Sequence, residues 1–163
     1  MKKTIFYILA AVTLTGAGCA NNTEQKITEN NKPPATQQVA KPMNLSGQNL
    51  TSVPSYVFQL KSATELNLSN NKLTGALPAE VRNMKELTVL NLSNNQFTGI
   101  PAEVGQLSKL EILDVSNNKI TGLPLEIGNL KNLKTLNLKG NDFSKIDLEQ
   151  IRKNIPNATI IEK

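Results

Sequence analysis

The chain has 163 residues, 18 basic and 13 acidic side chains, a formal charge of +5, one cysteine and no histidine. The missing histidine excludes Ser-His-Asp and Cys-His catalysis and histidine-ligated metals, and a lone cysteine excludes an intrachain disulfide. Scarce aromatics and a mild, evenly spread positive charge give no basis for nucleic-acid binding.

In chain order, Lys2 and Lys3 precede an apolar run from Ile5 to Leu14, then Gly16-Ala17-Gly18 and Cys19. Charge, length and composition predict a secretory signal peptide over residues 1–18. The run is well short of the ~20 residues a transmembrane helix needs. Losing Lys2 and Lys3 with it leaves 16 basic against 13 acidic side chains. The place of Cys19 resembles the lipobox of bacterial lipoproteins, although Gly16 stands where that family usually has leucine. The resemblance implies that Cys19 is acylated, for example with palmitate, becomes the mature N-terminus and anchors the chain in a membrane of the bacterial cell envelope. Several acyl chains anchor stably where one binds marginally. Ala20, in the place where an Asp often signals inner-membrane retention, leans towards the outer membrane. Ordinary cleavage among these small residues, giving a secreted protein, is the alternative.

Residues 19–39 read as the lipidated cysteine and a disordered tether. They hold Asn21-Asn22, Asn30-Asn31, Pro33-Pro34 and Gln37-Gln38 with almost no apolar side chains. Such composition does not bury enough surface to fold.

From residue 40 a short unit recurs. Asn71, Asn95, Asn118 and Asn141 are separated by 24, 23 and 23 residues. In one copy Leu87, Leu90, Leu92, Asn95, Phe97, Ile100, Val104 and Leu107 form the frame; the next has Leu110, Leu113, Val115, Asn118, Ile120, Leu123, Ile127 and Leu130. The copy before carries one extra residue in Thr74-Gly75-Ala76-Leu77. The first copy has Gln48 in place of the asparagine, and the fifth runs through Leu133, Leu136, Leu138, Asn141, Phe143 and Ile146 before changing register. A period near 23 marks a solenoid of stacked units.

The frame resembles the leucine-rich repeat family, L-x-x-L-x-L-x-x-N-x-L, from residue 40 to about 155. Leu73-Thr74-Gly75 and Gly122-Leu123-Pro124 also resemble the L-T-G-x-I-P style of plant receptors. The expected fold is α/β: a leucine-rich repeat solenoid of about five repeats over residues 40–163, with short parallel strands on the concave face and short helices or turns on the convex face. Leu-x-Leu alternation gives a strand with two inward side chains, and each unit buries its apolar face only against its neighbours. The asparagines form a structural ladder, their side chains satisfying backbone groups where the chain turns off the sheet. Pro78, Pro101 and Pro124 suit the first turn of a short helix, with Glu80, Glu103 and Glu126 near its positive end. Leu148, Ile151 and Ile155 have helical spacing, and with the final strand Ala158-Thr159-Ile160-Ile161 they predict a cap from about residue 147.

No phosphate loop and no cluster of carboxylates or lysines is visible, so no enzyme activity, cofactor or metal is expected. Function is sought on the outward strand positions. One row reads Glu65, Val89, Ile112 and Thr135; the next Asn67, Asn91, Asp114 and Asn137; a third Ser69, Ser93, Ser116 and Lys139. The first two rows are the candidate binding residues. Val89 and Ile112 form an apolar centre about 4.8 Å apart, rimmed by Asn91, Asp114 and Glu65. The resemblance implies a monomeric, lipid-anchored module that binds a protein or peptide through this face, with no nucleic acid. Carbohydrate or peptidoglycan binding, suggested by the Asn-rich rows but lacking aromatic grips, and a purely structural envelope role are the alternatives.

Overall fold

Eight three- or four-residue strands build the protein in the computed structural model, which describes residues 41–163. They are β1 Pro42–Asn44, β2 Glu65–Asn67, β3 Thr74–Ala76, β4 Val89–Asn91, β5 Gln96–Gly99, β6 Ile112–Asp114, β7 Thr135–Asn137 and β8 Thr159–Ile161. The expected signal peptide, Cys19, the tether and Ala40 lie outside the described residues.

Six strands form one parallel sheet in the order β1-β2-β4-β6-β7-β8. The register sets equivalent residues of successive repeats side by side, so Leu66, Leu90, Leu113, Leu136 and Ile160 form one inward row. Four of these five, the leucines, are fully buried, as are Leu68, Leu92, Val115 and Leu138 of the next inward row. A strand of three residues has little stability alone, and the stack supplies it: each fully buried leucine contributes about 1.5–3 kcal/mol.

The convex side carries 3₁₀ helices of five residues, Ser55–Gln59, Ala79–Asn83, Ala102–Gln106 and Leu125–Asn129. Pro54, Pro78, Pro101 and Pro124 stand one residue before them, at the N-cap rather than in the first turn as expected. The tighter helix explains this: the proline carbonyl itself accepts the first i→i+3 bond, for example from Val81 N–H at 3.2 Å. The glutamate row is uneven. Glu80 and Glu126 are exposed, whereas Glu103 is half-buried beside Arg82 at 3.5 Å.

Neighbouring 3₁₀ helices approach closely at Gly105, where a Cβ would run into the Glu126 backbone carbonyl. Backbone cannot swing aside as a side chain does. Gly105→Ala is therefore expected to lower the urea unfolding free energy by about 1–3 kcal/mol. Gly122→Ala, with open space around its Cβ and an ordinary φ, is the matched control and stays near the parent midpoint. Equal shifts for the two would mean that the convex packing is looser than described.

The asparagine ladder links each repeat to the one before it. Asn118 Nδ2 donates to Val115 O at 3.0 Å in its own repeat and to Leu92 O at 3.0 Å in the previous one. Its Oδ1 accepts from Phe97 N–H at 2.9 Å. Asn71, Asn95 and Asn141 repeat the pattern, reaching back to Leu45, Leu68 and Val115. That backward reach explains Gln48: it stands in the first repeat, and among the described residues there is no earlier strand for a side chain to hold. Gln48 is exposed, and Leu50 N–H is satisfied by Asn71 Oδ1 at 3.0 Å.

Two further features differ from the expectation. β3 and β5 pair as a second, two-stranded parallel sheet, and a register shift between Gly75 and Ala76 there skips Thr98 of β5. Gly75 adopts φ 76°, a conformation that side-chain-bearing residues rarely take. Ile146 does not extend the apolar frame: it is 73% exposed. The chain has already turned into α1, Lys145–Asn154, whose N-cap Ser144 accepts from Asp147 N–H at 3.3 Å. α1 buries Leu148 and Ile151 against the last 3₁₀ helix and leads to β8. Among the described residues no helix is long and apolar enough to cross a membrane.

Candidate functional site: the concave face

The six-stranded sheet turns two rows of side chains to the concave side. The first row runs Pro42, Glu65, Val89, Ile112, Thr135 and Thr159 across β1 to β8. The second runs Asn44, Asn67, Asn91, Asp114, Asn137 and Ile161. All eight candidate residues read from the sequence therefore lie together, on adjacent strands about 4.8 Å apart. Pro42, Asn44, Thr159 and Ile161 extend the same rows and were not assigned to them. Asn44-x-Ser46 repeats Asn67-x-Ser69 and Asn91-x-Ser93, which is the signal that could have placed Asn44.

Exposure sorts the first row. Ile112 is 38% exposed and sits beside half-buried Val89, so one aliphatic step opens to solvent at the centre of the sheet. Glu65 is exposed on the next strand and has no ion-pair partner among the described residues. Ile161, also 38% exposed, adds an apolar edge two strands beyond Ile112, though in the second row.

The third row departs from expectation. Ser69, Ser93 and Ser116 are buried, and only Lys139 is exposed. The chain turns inward directly after each strand, and the side-chain oxygen two residues earlier closes that turn. Asn67 Oδ1 accepts Ser69 N–H at 3.0 Å, Asn91 Oδ1 accepts Ser93 N–H at 3.0 Å, and Asn44 Oδ1 accepts Ser46 N–H at 3.0 Å. These are Asx turns, the local structure that Asn and Asp favour.

The same turns fix what the second row offers a ligand. Each asparagine oxygen is committed to the turn, so the amide nitrogen faces away from it. Among the described residues the Nδ2 groups of Asn44, Asn67 and Asn91 have no acceptor. Asp114 behaves differently. One carboxylate oxygen takes Ser116 N–H at 2.9 Å and Ser116 Oγ–H at 2.6 Å, and the other takes Asn137 Nδ2 at 3.1 Å. Asp114 and Asn137 thus hydrogen-bond to one another across neighbouring strands. Among the described residues no group of His, Cys, Asp and Glu is arranged to hold a metal ion.

The leucine-rich repeat family model matches residues 41–97 and 85–143, and the chain belongs to this family. Such domains are typically interaction modules for proteins or peptides rather than enzymes. Among solved structures, a leucine-rich repeat protein of Leptospira interrogans is 37% identical over 69% of this chain and 34% of its own, with a TM-score of 0.57. The plant peptide hormone receptor RGFR1 in complex with RGF2 is 31% identical over 67% of this chain and 18% of its own, with a TM-score of 0.57. Internalin C2 of Listeria monocytogenes is 25% identical over 77% of this chain and 53% of its own, with a TM-score of 0.67. The chain spans about a third of the Leptospira protein and a smaller share of the plant receptor. No curated protein sequence matches it.

Proposed function

We propose that this protein is a lipid-anchored leucine-rich repeat module of the bacterial cell envelope that holds a protein or peptide against its concave face. Cys19, at the end of the signal-like segment, carries the anchor, and residues 20–39 tether the repeats. The observation that carries the binding half is the open Val89–Ile112 step at the centre of the sheet, flanked by polar residues. An apolar centre within a polar rim is the usual anatomy of an interface, and a few central residues carry most of its energy. The peptide-bound state of the plant receptor RGFR1 supports the same use of the fold.

Crosslinking in intact cells followed by pull-down tests it. Val89→Ser with Ile112→Ser is expected to weaken partner capture about tenfold or more, a loss of at least ~1.4 kcal/mol. The melt changes by less than about 1 kcal/mol, because both residues lie on the solvent side of the sheet. Glu80→Ala with Glu126→Ala, both exposed on the convex side, leaves capture intact. Capture lost only in the convex pair overturns the concave assignment.

A further inference from the structure

The concave face carries enough unspent chemistry to specify what it reads, provided that the binding reading above holds. Of its two row acids, Asp114 is consumed by Ser116 and Asn137. Glu65 is the row acid with no side-chain partner among the described residues, and it lies one strand from Val89 and two from Ile112. From Glu65 to the middle of the Val89–Ile112 step is one and a half strand spacings, about 7 Å. An extended peptide places alternate side chains on one side at about 6.6–6.8 Å, which matches. Laid across the strands, such a peptide sets one side chain over Glu65 and the next-but-one over the aliphatic step.

The second row then faces the peptide backbone. Asn67 and Asn91 flank the same stretch, and their turns force them to present N–H donors rather than acceptors. The complementary group is a carbonyl oxygen, which an extended peptide offers sideways between those two side chains. We propose that the concave face recognises an extended peptide segment of the form basic–x–aliphatic. Glu65 pairs with the cation, Val89 and Ile112 seat the aliphatic side chain, and an amide of Asn67 or Asn91 donates to the intervening carbonyl. Charge complementarity supplies the register, and the aliphatic seat supplies most of the hold.

The test uses the full chain in detergent on an array of acetylated, amidated Ser/Gly heptapeptides. Each carries one Lys and one Leu, in both orders, at spacings of one, two and three residues. The spacing of two is expected to bind best in one of the two orders, with Lys→Glu in the peptide losing about tenfold. Glu65→Lys in the protein, with its melt checked, reverses that preference and keeps the requirement for Leu. Added salt at 0.5 M weakens the charge preference, because an exposed pair is screened. Indifference to charge or spacing, or no bound peptide, overturns the motif. If Val89→Ser with Ile112→Ser still lowers capture in cells, only the motif falls; if it does not, the binding reading falls with it.

Discussion

Asn118→Ala is expected to cost about 1–3 kcal/mol in a urea melt, a large effect for a side-chain truncation outside the apolar core. The side chain is buried, and its loss strands Phe97 N–H, while Leu92 O and Val115 O keep Asn95 and Asn141 as donors. Each unsatisfied buried group costs about 1–3 kcal/mol, with partial relief where a carbonyl keeps another donor. Asn141→Ala is expected to cost less, since Asn141 is half-buried and water can replace it. Glu126→Ala, fully on the surface, stays within about 0.5 kcal/mol. A melt in which Asn118→Ala and Glu126→Ala behave alike would show that the ladder holds nothing.

Cys19→Ala has an all-or-none expectation on the proposed anchor. The parent protein partitions into detergent and its mature N-terminal peptide carries acyl chains detectable by mass spectrometry. The variant loses both and accumulates as precursor or in the soluble fraction. Stable membrane attachment needs more than one chain, so partial acylation gives an intermediate and salt-insensitive release. Unchanged partitioning without any acyl mass removes the lipoprotein assignment while leaving the repeat array untouched.

The repeat frame was legible because burial here is periodic. Leu-x-Leu fixes a strand and its two inward side chains, and the asparagine fixes the turn that follows. The register of Glu65, Val89, Ile112 and Thr135 followed directly, because a strict period places equivalent residues on neighbouring strands. What the period could not reveal was how polar side chains spend their hydrogen bonds. Ser69, Ser93 and Ser116 look like strand surface in a sequence, yet they lie beyond the strand where the backbone already turns inward. Asp114 looks like a free carboxylate until Ser116 and Asn137 are seen to occupy it. Ile146 sits at the right spacing, but the Ser144 cap starts α1 and swings it outward. The pairing of β3 with β5 is similar: Thr-Gly there is a turn signal, and only stacking two such segments makes a sheet.

The backward reach of the ladder gives the molecule a direction of growth. Along the main sheet, successive units meet through equivalent backbone bonds, from Leu68 to Asn91 and from Leu92 to Asp114 alike. Duplicating the segment 110–132 in the gene would repeat the backbone junction but set Asp114 beside its own copy in place of Asn137, so a compatible copy needs a neutral residue there. With that residue matched, the array is built to lengthen by whole 23-residue steps ahead of α1. The concave sheet widens by one strand per step.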